Sequence, residues 1–503
     1  MMLDRTGALP IDRKERRHLV PLEIPKRDPE ERASEFCEVK LGFDAEMAMV
    51  EASRCLQCPY PQACVRGCPA GNDIPLALWH IERGEFLEAA DVFRETSNLP
   101  EICSRVCPQV VQCEGACVQE GYCEGVAIGL LERFVTDYQR ETVGTPIPEV
   151  APPTGRHVAV IGAGPAGLTV AEELARLGHG ITIFDALPKA GGTARYGIPT
   201  FKLPKQVIDD KVAVLEAMGV QFVMNTKIGE ETTVDDLLAD GFDAVFLGTG
   251  SLTKVPLRVP GKELEGIYQA TPFLCRANLP PEDLPPEWQE PLEVGRRVAV
   301  IGGGDSAMDC LRSALRLGAE EVTCVYRRTE AQMPGNTTER KYAREEGVKF
   351  IWLAAPLEFF GDENGHIRAM RCQRMELGEP DSSGRRRPVP IEGDEFTMEV
   401  DTVILALGYW PDPLLGETTA KLKTHDWGLI TADEETGRTS RTQIFAAGDN
   451  VHGADLVVTA MLGARKAARS IDMYLRSVKP RRTRAWTRVR REQAVPIAAG
   501  APQ

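Results

Sequence analysis

The sequence is poor in the features that mark membrane, exported and nucleic-acid-binding proteins. It has no apolar run near 18 residues and no signal peptide at its start, so we expect a cytoplasmic chain with no membrane partner. Basic residues are in deficit, with 59 Lys and Arg against 74 Asp and Glu, which gives a net charge of −15. Nucleic acid is not expected as a partner, because phosphate binding depends on a basic surface.

Histidine is also scarce, with seven residues, whereas ten of the fourteen cysteines precede residue 125. Eight of these cysteines form two runs: Cys55-x2-Cys58-x5-Cys64-x3-Cys68-Pro and Cys103-x3-Cys107-x5-Cys113-x3-Cys117, with a proline after Cys107. Disulfides and structural zinc are the alternatives, but cytosolic thiols stay reduced and no histidine lies at ligand spacing among these cysteines. The x2, x3 and Cys-Pro spacings are typical of iron–sulfur ligands, so we predict 4Fe-4S clusters.

A β-α-β pattern with a glycine turn occurs twice after the cysteine region. The first begins at His157 and the second at Arg297, about 140 residues later. Two apolar strand ends, at residues 245–250 and 403–408, bracket the second unit and indicate that one domain is inserted in the other. The predicted fold class is α/β, with a helical N-terminal iron–sulfur module followed by two Rossmann-like dinucleotide-binding domains, as in glutathione reductase and adrenodoxin reductase.

Changes in composition predict the domain boundaries. Apolar spacing predicts helices over residues 43–54 and 74–93 in the cysteine region, and the C-terminal tail carries seven basic residues that are solvated or bind an acidic partner. The predicted segments are a polar arm (1–35), the double-cluster domain (36–143), a proline-rich linker (144–155), the first nucleotide-binding domain (156–250 and 401–478), the second (251–400) and the basic tail (479–503).

The first glycine turn has the features of an FAD site. It follows a strand and opens a helix, so backbone N–H groups face an anion such as pyrophosphate. Asp185 ends the next strand, where a carboxylate accepts hydrogen bonds from ribose hydroxyls. A glycine turn that only packs helix on strand is the alternative. The predicted residues are Gly162, Gly164, Pro165, Ala166, Gly167 and Asp185.

The second glycine turn is predicted to bind NADP and not NAD. The position that matches Asp185 falls at Arg327 and Arg328, where there is no carboxylate. Arginine cannot accept a hydrogen bond from a 2′-hydroxyl, but it binds a 2′-phosphate bidentately. A solvated arginine pair is the alternative. The predicted residues are Gly302, Gly304, Asp305, Ser306, Ala307, Arg327 and Arg328.

A motif near the C-terminus completes the predicted flavin site. A short strand ends at Gly448 and Asp449, which places a carboxylate near the ribityl chain of FAD. The helix that follows, with Thr459 in its first turn, directs N–H groups towards the flavin ring. The sequence demands no catalytic acid or base, and we name none.

With these motifs in order, residues 30–475 resemble the small subunit of bacterial glutamate synthase. Its relatives include the electron-input half of dihydropyrimidine dehydrogenase and the large subunit of electron-bifurcating ferredoxin:NADP oxidoreductases. The resemblance rests on both cysteine runs, both glycine turns, the segment 191–203 and the motif at Gly448 and Asp449. Gly192 and Gly250 join the predicted cofactor site in this way.

The resemblance implies separate ligand sets for two clusters. One set is Cys55, Cys58, Cys64 and Glu132, and the other is Cys68, Cys107, Cys113 and Cys117. Cys103 then has no iron to bind. Spacing alone equally allows all eight cysteines, so Glu132 and Cys103 remain open as the eighth ligand, and Glu132 could also be an ordinary helix-surface carboxylate.

The resemblance implies an electron-input subunit that oxidises NADPH through FAD and passes electrons through its clusters to a large partner subunit. Glutamate synthase, which makes glutamate from glutamine and 2-oxoglutarate, is the favoured complex; a dihydropyrimidine dehydrogenase-type or bifurcating ferredoxin:NADP complex is the alternative. A disulfide reductase is excluded, because its redox Cys-x-x-Cys would have to be Cys55 and Cys58, which belong to the cluster run. Intact turns and a full ligand set argue against a non-enzymatic scaffold.

Overall fold

The computed structural model describes residues 12–251, 253–381 and 384–478. The predicted basic tail and the first eleven residues of the predicted arm lie outside this part of the chain. Among the described residues, no helix is both long enough and apolar enough to cross a bilayer.

Helices and strands follow one another in the order expected of a helical module and two α/β domains. The α-helices of the described chain are α1 (Arg13–Arg16), α2 (Pro29–Ser34), α3 (Ala45–Ser53), α4 (Ala63–Gly67), α5 (Ile74–Ile81), α6 (Phe86–Thr96), α7 (Pro100–Val106), α8 (Ile128–Thr142), α9 (Pro165–Arg176), α10 (Gly192–Tyr196), α11 (Lys205–Ala217), α12 (Val234–Ala239), α13 (Ala270–Asn278), α14 (Asp305–Arg316), α15 (Thr337–Glu345), α16 (Leu414–Thr418), α17 (Asp449–His452) and α18 (Val457–Ser477). The strands are β1 (His157–Ile161), β2 (Gly180–Phe184), β3 (Gln221–Val223), β4 (Ala244–Leu247), β5 (Thr253–Lys254), β6 (Ile267–Gln269), β7 (Arg297–Ile301), β8 (Glu321–Tyr326), β9 (Lys349–Trp352), β10 (Ala354–Gly361), β11 (Ile367–Pro380), β12 (Arg386–Glu399), β13 (Thr402–Leu405), β14 (Tyr409–Trp410) and β15 (Ile444–Ala446).

The N-terminal helices α3, α5, α6 and α8 enclose one apolar core. Asp44 and Asp73 cap α3 and α5 by accepting backbone N–H groups of their first turns. Gly84, at φ +74°, lies between α5 and α6, so the helix predicted over 74–93 is two helices. Folding back at this glycine lets both helices bury their apolar faces in the same core.

The first nucleotide-binding domain is a parallel sheet in the order β15-β4-β1-β2-β3. Its central strands β1 and β4 are apolar along almost their whole length, as strands covered on both faces must be. Strand β15 returns from the end of the chain to pair with β4. The proline-rich segment before β1 lies along this domain, where Ala151 N–H donates to Arg176 O and Thr154 N–H donates to Gly178 O.

The second nucleotide-binding domain has a parallel sheet in the order β6-β13-β7-β8-β9 and a separate antiparallel sheet, β10-β11-β12. The boundary predicted at residue 401 is therefore wrong for β13, which pairs with β7 and β6 of this domain and not with the first sheet. Strand composition cannot make this distinction, because both sheets have equally apolar central strands. The chain passes between the two nucleotide-binding domains twice, and these two segments lie side by side because β5 and β14 pair with each other.

The described part of the arm is bound to the second nucleotide-binding domain by buried charges. Arg32 on α2 is fully buried, and it donates to Glu345 Oε2 at 2.6 Å and to Glu346 Oε1 at 2.9 Å. The same Glu346 carboxylate accepts from Arg312 and Arg316 on α14. The prediction of an extended arm misses this contact, because the carboxylates lie more than 300 residues further along the chain.

We expect Glu346→Ala to destabilise the protein by about 3–5 kcal/mol, because it leaves three arginines buried without their shared carboxylate. Chemical denaturation measures this loss. Glu320→Ala is the control, since Glu320 forms an exposed pair with Arg296 on the same domain, and its loss should be much smaller. Equal losses for the two variants would show that the buried network contributes no more to the free energy of unfolding than an exposed ion pair does.

Candidate functional site

The first glycine turn has no room for side chains at two positions. Gly162 has φ +103°, and a Cβ there would lie 2.3 Å from the Gly248 carbonyl oxygen. A Cβ on Gly167 would lie 1.9 Å from the Gly162 carbonyl oxygen. Glycine therefore allows β1, β4 and α9 to approach one another, and it leaves the unpaired N–H groups at the start of α9 beside an open cavity.

Two buried carboxylates lie next to this turn. Asp185 accepts the N–H groups of Ala163 at 2.6 Å and Leu187 at 2.8 Å, and burial raises its pKa. Asp449 is the first residue of α17, and burial raises its pKa to about 7. Both side chains line the cavity, so sugar hydroxyls bound there would supply the hydrogen bonds that water can no longer supply.

One cavity of about 590 Å³ connects the two glycine turns with the cysteine module. Its volume lies in the range of cofactor pockets. The predicted residues that line it are Gly162, Gly164, Pro165, Ala166, Asp185, Gly192, Gly250, Asp305, Ser306 and Asp449. Cys107 and Pro108 line the same cavity. Thr459 lies in the first turn of α18, as predicted, and its hydroxyl donates to Leu456 O at 2.7 Å, so its contact with a cofactor remains a prediction.

The second glycine turn repeats the geometry of the first. Gly302 has φ +151°, and a Cβ there would lie 2.2 Å from the Ala406 carbonyl oxygen. Helix α14 begins at Asp305, whose carboxylate accepts the Asn336 N–H at 2.8 Å. A Cβ on Gly304 would meet no atom within 4 Å, so this side of the turn is open towards a ligand.

Sequence reasoning missed a tyrosine and a buried ion pair that also line the cavity. Tyr409 lines the cavity together with Thr271 and Ser306, and burial raises the pKa of Tyr409 to about 12. Lys202 donates to Asp309 Oδ1 at 2.9 Å and so links the first domain to α14 of the second. Local sequence gives no signal for either feature, because each joins segments that are far apart in the chain.

The two arginines predicted to bind a 2′-phosphate lie in different environments. Arg327 is exposed at the end of β8, in the position that the comparison with Asp185 indicates. Arg328 is buried, and it donates to Arg386 O at 2.8 Å and to Asp381 Oδ2 at 2.7 Å. Arg328 therefore has protein partners, and the phosphate contact remains a prediction chiefly for Arg327.

The first group of cysteines consists of Cys55, Cys58, Cys64 and Cys117, which line one small cavity. Cys55 and Cys64 interact electrostatically with each other and with the remaining two cysteines. Burial raises the pKa of Cys64 to about 12, so a free thiol there stays protonated and a bound metal centre must supply the charge that favours the thiolate. The donor set is four sulfurs around a space, which fits a cluster.

The second group consists of Cys68, Cys107, Cys113 and Glu132. Each of the three cysteines interacts electrostatically with Glu132. Glu132 is buried on α8, it accepts from Asn72 Nδ2 at 3.3 Å, and burial raises its pKa to about 8. It is not a helix-surface carboxylate. Cys103 packs in an apolar cluster, whereas Glu132 interacts with all three cysteines of this group, which favours Glu132 as the fourth donor.

The structure groups these side chains differently from the ligand sets that the resemblance implies, in one exchange: Cys117 lies with the first group and Glu132 with the second. The last cysteine of the first run, Cys68, lies in the second group, and the last cysteine of the second run, Cys117, lies in the first. The same exchange occurs in two-cluster ferredoxins. Cys64 lies in the first turn of the short helix α4 and Cys68 directly follows the last residue of this helix, yet the two sulfurs belong to different groups. Position along the chain cannot reveal the exchange.

Among residues 12–251, 253–381 and 384–478, no three Cys, His, Asp or Glu side chains are arranged to hold one metal ion. The preference for iron–sulfur clusters over zinc therefore rests on the type of the donors and on their spacing in the sequence.

Two family models match successive parts of the chain. Residues 32–143 match dihydropyrimidine dehydrogenase domain II, 4Fe-4S cluster, and residues 156–464 match pyridine nucleotide-disulphide oxidoreductase. The fold is similar to that of FprA from Mycobacterium tuberculosis, with a TM-score of 0.54, 21% identity and coverage of 65% of this chain and 85% of that chain. Fold and site together define a pyridine nucleotide-dependent oxidoreductase with an N-terminal iron–sulfur domain, as predicted.

Two curated relatives are similar over most of the chain. AegA of Escherichia coli (strain K12) is 42% identical over 90% of this chain and 69% of its own length. The NADPH glutamate synthase small chain of the same organism is 40% identical over 90% of this chain and 96% of its own length. The chain belongs to the family that contains the NADPH glutamate synthase small chains. This confirms the resemblance and the predicted cofactor types, FAD, NADPH and 4Fe-4S, while two clusters remain a prediction.

We expect Arg327→Ala to weaken NADPH binding roughly thirtyfold, or about 2 kcal/mol, because it removes one bidentate phosphate contact. Binding of NADH should not change. Steady-state kinetics with both nucleotides measures the effect. Arg344→Ala is the control, since Arg344 on α15 is paired with Glu330 instead. The assignment is wrong if the unaltered protein prefers NADH or if the Arg327 variant keeps its preference for NADPH.

Anaerobically purified protein should contain about eight iron and eight sulfide per chain, as two 4Fe-4S clusters require. Cys117→Ser should disturb the paramagnetic signal of the first group, and Glu132→Ala that of the second, because these residues complete different donor sets. Cys103→Ser is the control and should leave both signals unchanged. Zinc without sulfide would exclude clusters, and the opposite pattern of signal loss would restore the ligand sets implied by the resemblance.

Proposed function

We propose that this chain is the electron-input subunit of glutamate synthase, in which it takes electrons from NADPH and delivers them to a large partner subunit that makes glutamate from glutamine and 2-oxoglutarate. The NADPH glutamate synthase small chain of Escherichia coli supports this proposal, because 96% of its own length matches this chain. Thiolate ligands need a reducing compartment, so the proposal includes a cytoplasmic location.

The observation that carries the proposal is that Cys107 lines the same cavity as Asp185 and Asp449. A donor of the second cysteine group thus lies at the wall of the predicted flavin site. When bound, FAD takes a hydride from NADPH and releases electrons singly, which 4Fe-4S clusters accept. Cys68 of the second group directly follows α4, which contains Cys64 of the first group, so the two donor sets are neighbours.

The first cysteine group is partly accessible to a partner. Cys55 is buried, whereas Cys58 in the same group is only half-buried. A large subunit that docks at Cys58 would approach the first group without contact with the nucleotide cavity. The proposal therefore assigns the nucleotide cavity to electron input and the Cys58 side of the cysteine module to electron output.

The residues around the cavity have distinct binding roles in this proposal. The start of α9 and Asp185 hold the pyrophosphate and ribose of FAD, and Asp449 accepts from the ribityl hydroxyls. The start of α14 and Arg327 hold the phosphates of NADPH. The Lys202 to Asp309 ion pair, at 2.9 Å, joins the two nucleotide domains beside the cavity and so fixes the distance between the two sites.

A second candidate function differs only in the acceptor. The chain would then supply electrons to a dihydropyrimidine dehydrogenase-type or bifurcating ferredoxin:NADP complex. Two observations favour it: residues 32–143 match a domain of dihydropyrimidine dehydrogenase, and AegA, whose name does not refer to glutamate synthase, is as similar to this chain as the small chain is. Both candidates require the same input site.

The purified chain should reduce an artificial dye with NADPH, yet it should form no glutamate from glutamine and 2-oxoglutarate until a glutamate synthase large subunit is added. The reason is that cofactor sites for electron input lie in this chain, whereas the sequence shows no amidotransferase nucleophile. Dye reduction and glutamate formation are measured in parallel. Glutamate without a partner, or no dye reduction by flavin- and iron-replete protein, contradicts the proposal. Dye reduction with no glutamate after addition of the large subunit favours the second candidate.

A further inference from the structure

The short helix α1 is bound to the loop that joins Cys55 and Cys58. Arg13 donates from Nε to Leu56 O and from a terminal guanidinium nitrogen to Gln57 O, both at 3.0 Å. This guanidinium therefore contacts the backbone between two predicted ligands of the first group. No residue of the glycine turns or of the nucleotide cavity takes part in this contact.

Arg16 also binds α1 to this loop, but it adds no net charge there because Glu82 neutralises it. It donates to Cys55 O at 2.9 Å and pairs with Glu82 at 2.6 Å. The buried amide of Gln119 donates to Arg16 O at 2.9 Å and so connects α1 to the second cysteine run as well. Helix α1 is thus held against the first cysteine group on two sides.

Arg13 and Arg17 do add charge. Among the described residues neither is paired with a carboxylate, and Arg17 lies over the ring of Tyr122 at 4.9 Å. Arg13 contacts the backbone next to Cys58, and both guanidiniums are near enough to interact electrostatically with Cys58. The protein has a net charge of −15, so two arginines that lack a carboxylate partner within residues 12–251, 253–381 and 384–478 are unusual beside a group of cysteines.

The second cysteine group has the opposite surroundings. Besides its donor Glu132, this group has Glu114, which directly follows Cys113, accepts the Gly129 N–H at 2.9 Å and interacts electrostatically with Cys113. Addition of an electron to a cluster adds negative charge, which nearby cations favour and nearby carboxylates oppose. The two groups therefore differ in the sign of the charge that the protein places next to them.

We propose that Arg13 and Arg17 are positioning residues that raise the reduction potential of the cluster held by Cys55, Cys58, Cys64 and Cys117 above that of the cluster held by Cys68, Cys107, Cys113 and Glu132. The inference rests on the proposed cluster ligation, and it adds the direction in which electron transfer between the two clusters is favourable. Electrons that leave the flavin cavity through the second group then move downhill to the first group.

Redox titration of the intact protein, followed by electron paramagnetic resonance and with dithionite as reductant, tests the proposal without NADPH or a partner. Arg13→Gln and Arg17→Gln should each lower the ratio of reduced to oxidised first cluster about tenfold at fixed potential, which equals 59 mV for a one-electron couple. The second cluster should keep its potential. The Arg17 variant separates charge from loop geometry, because Arg17 has no hydrogen bond to the loop among the described residues.

Two further variants control for structure and for bulk charge. Arg13→Lys keeps the positive charge, so the reduction potential of the first cluster should stay close to that of the unaltered protein. Lys14→Gln removes an exposed charge from the same helix, without a side-chain contact to the loop, and should change the ratio less than twofold. The effect of Arg13→Gln should also shrink as salt rises, because Arg13 is exposed.

The outcomes separate this inference from the proposed function. If both clusters are present and neither arginine variant changes the first potential, the inference is wrong while the electron-input function stands. An equal shift in Lys14→Gln, or an equal shift of both clusters, also overturns it. Absence of clusters from the unaltered protein overturns the cluster ligation itself.

Discussion

The apolar contact between α7 and the first nucleotide-binding domain determines where the cysteine module lies relative to the nucleotide cavity. Leu99 and Ile102 pack there with Ala194 and Met461 in one buried cluster. Cys107 directly follows α7, so this packing places a cluster ligand at the wall of the nucleotide cavity. Electron transfer between cofactors depends on their separation, and a dry, close-packed interface holds that separation constant.

Charged contacts then set the orientation of the three parts of the molecule. Glu38, between α2 and α3, pairs with Arg105 on α7 and Arg133 on α8. A few residues earlier in the chain, Arg32 pairs with Glu346 of the second nucleotide-binding domain. Buried ion pairs add little net stability, because desolvation offsets their attraction, but a charge without its partner is costly. These pairs therefore favour one arrangement of the domains over others that would bury the same apolar surface.

Local features of the site could be predicted from the sequence. The glycines at 162, 167 and 302 are required by close contacts within one β-α-β unit or with its neighbouring strand, so their spacing alone indicates nucleotide turns. The cysteine runs likewise indicate iron–sulfur chemistry, because ligand spacing reflects the size of the group that is bound. Asp185 and Asp449 could be placed because each lies within three residues of the end of a strand of known direction.

Features that depend on distant segments could not be predicted in this way. The exchange of Cys117 and Glu132 between the two groups depends on how the second run folds against α4 and α8. The burial of Arg328 depends on Asp381, which lies on a hairpin 53 residues further along the chain. Strand β13 belongs to the second sheet because its neighbours β6 and β7 are there, and its own residues would suit either sheet. The sequence by itself determined which chemistry the chain can hold, because steric limits and ligand types act within a few residues. Only the tertiary structure decided which donors share a cluster and which charges face it, because those depend on atoms that folding brings together from separate parts of the chain.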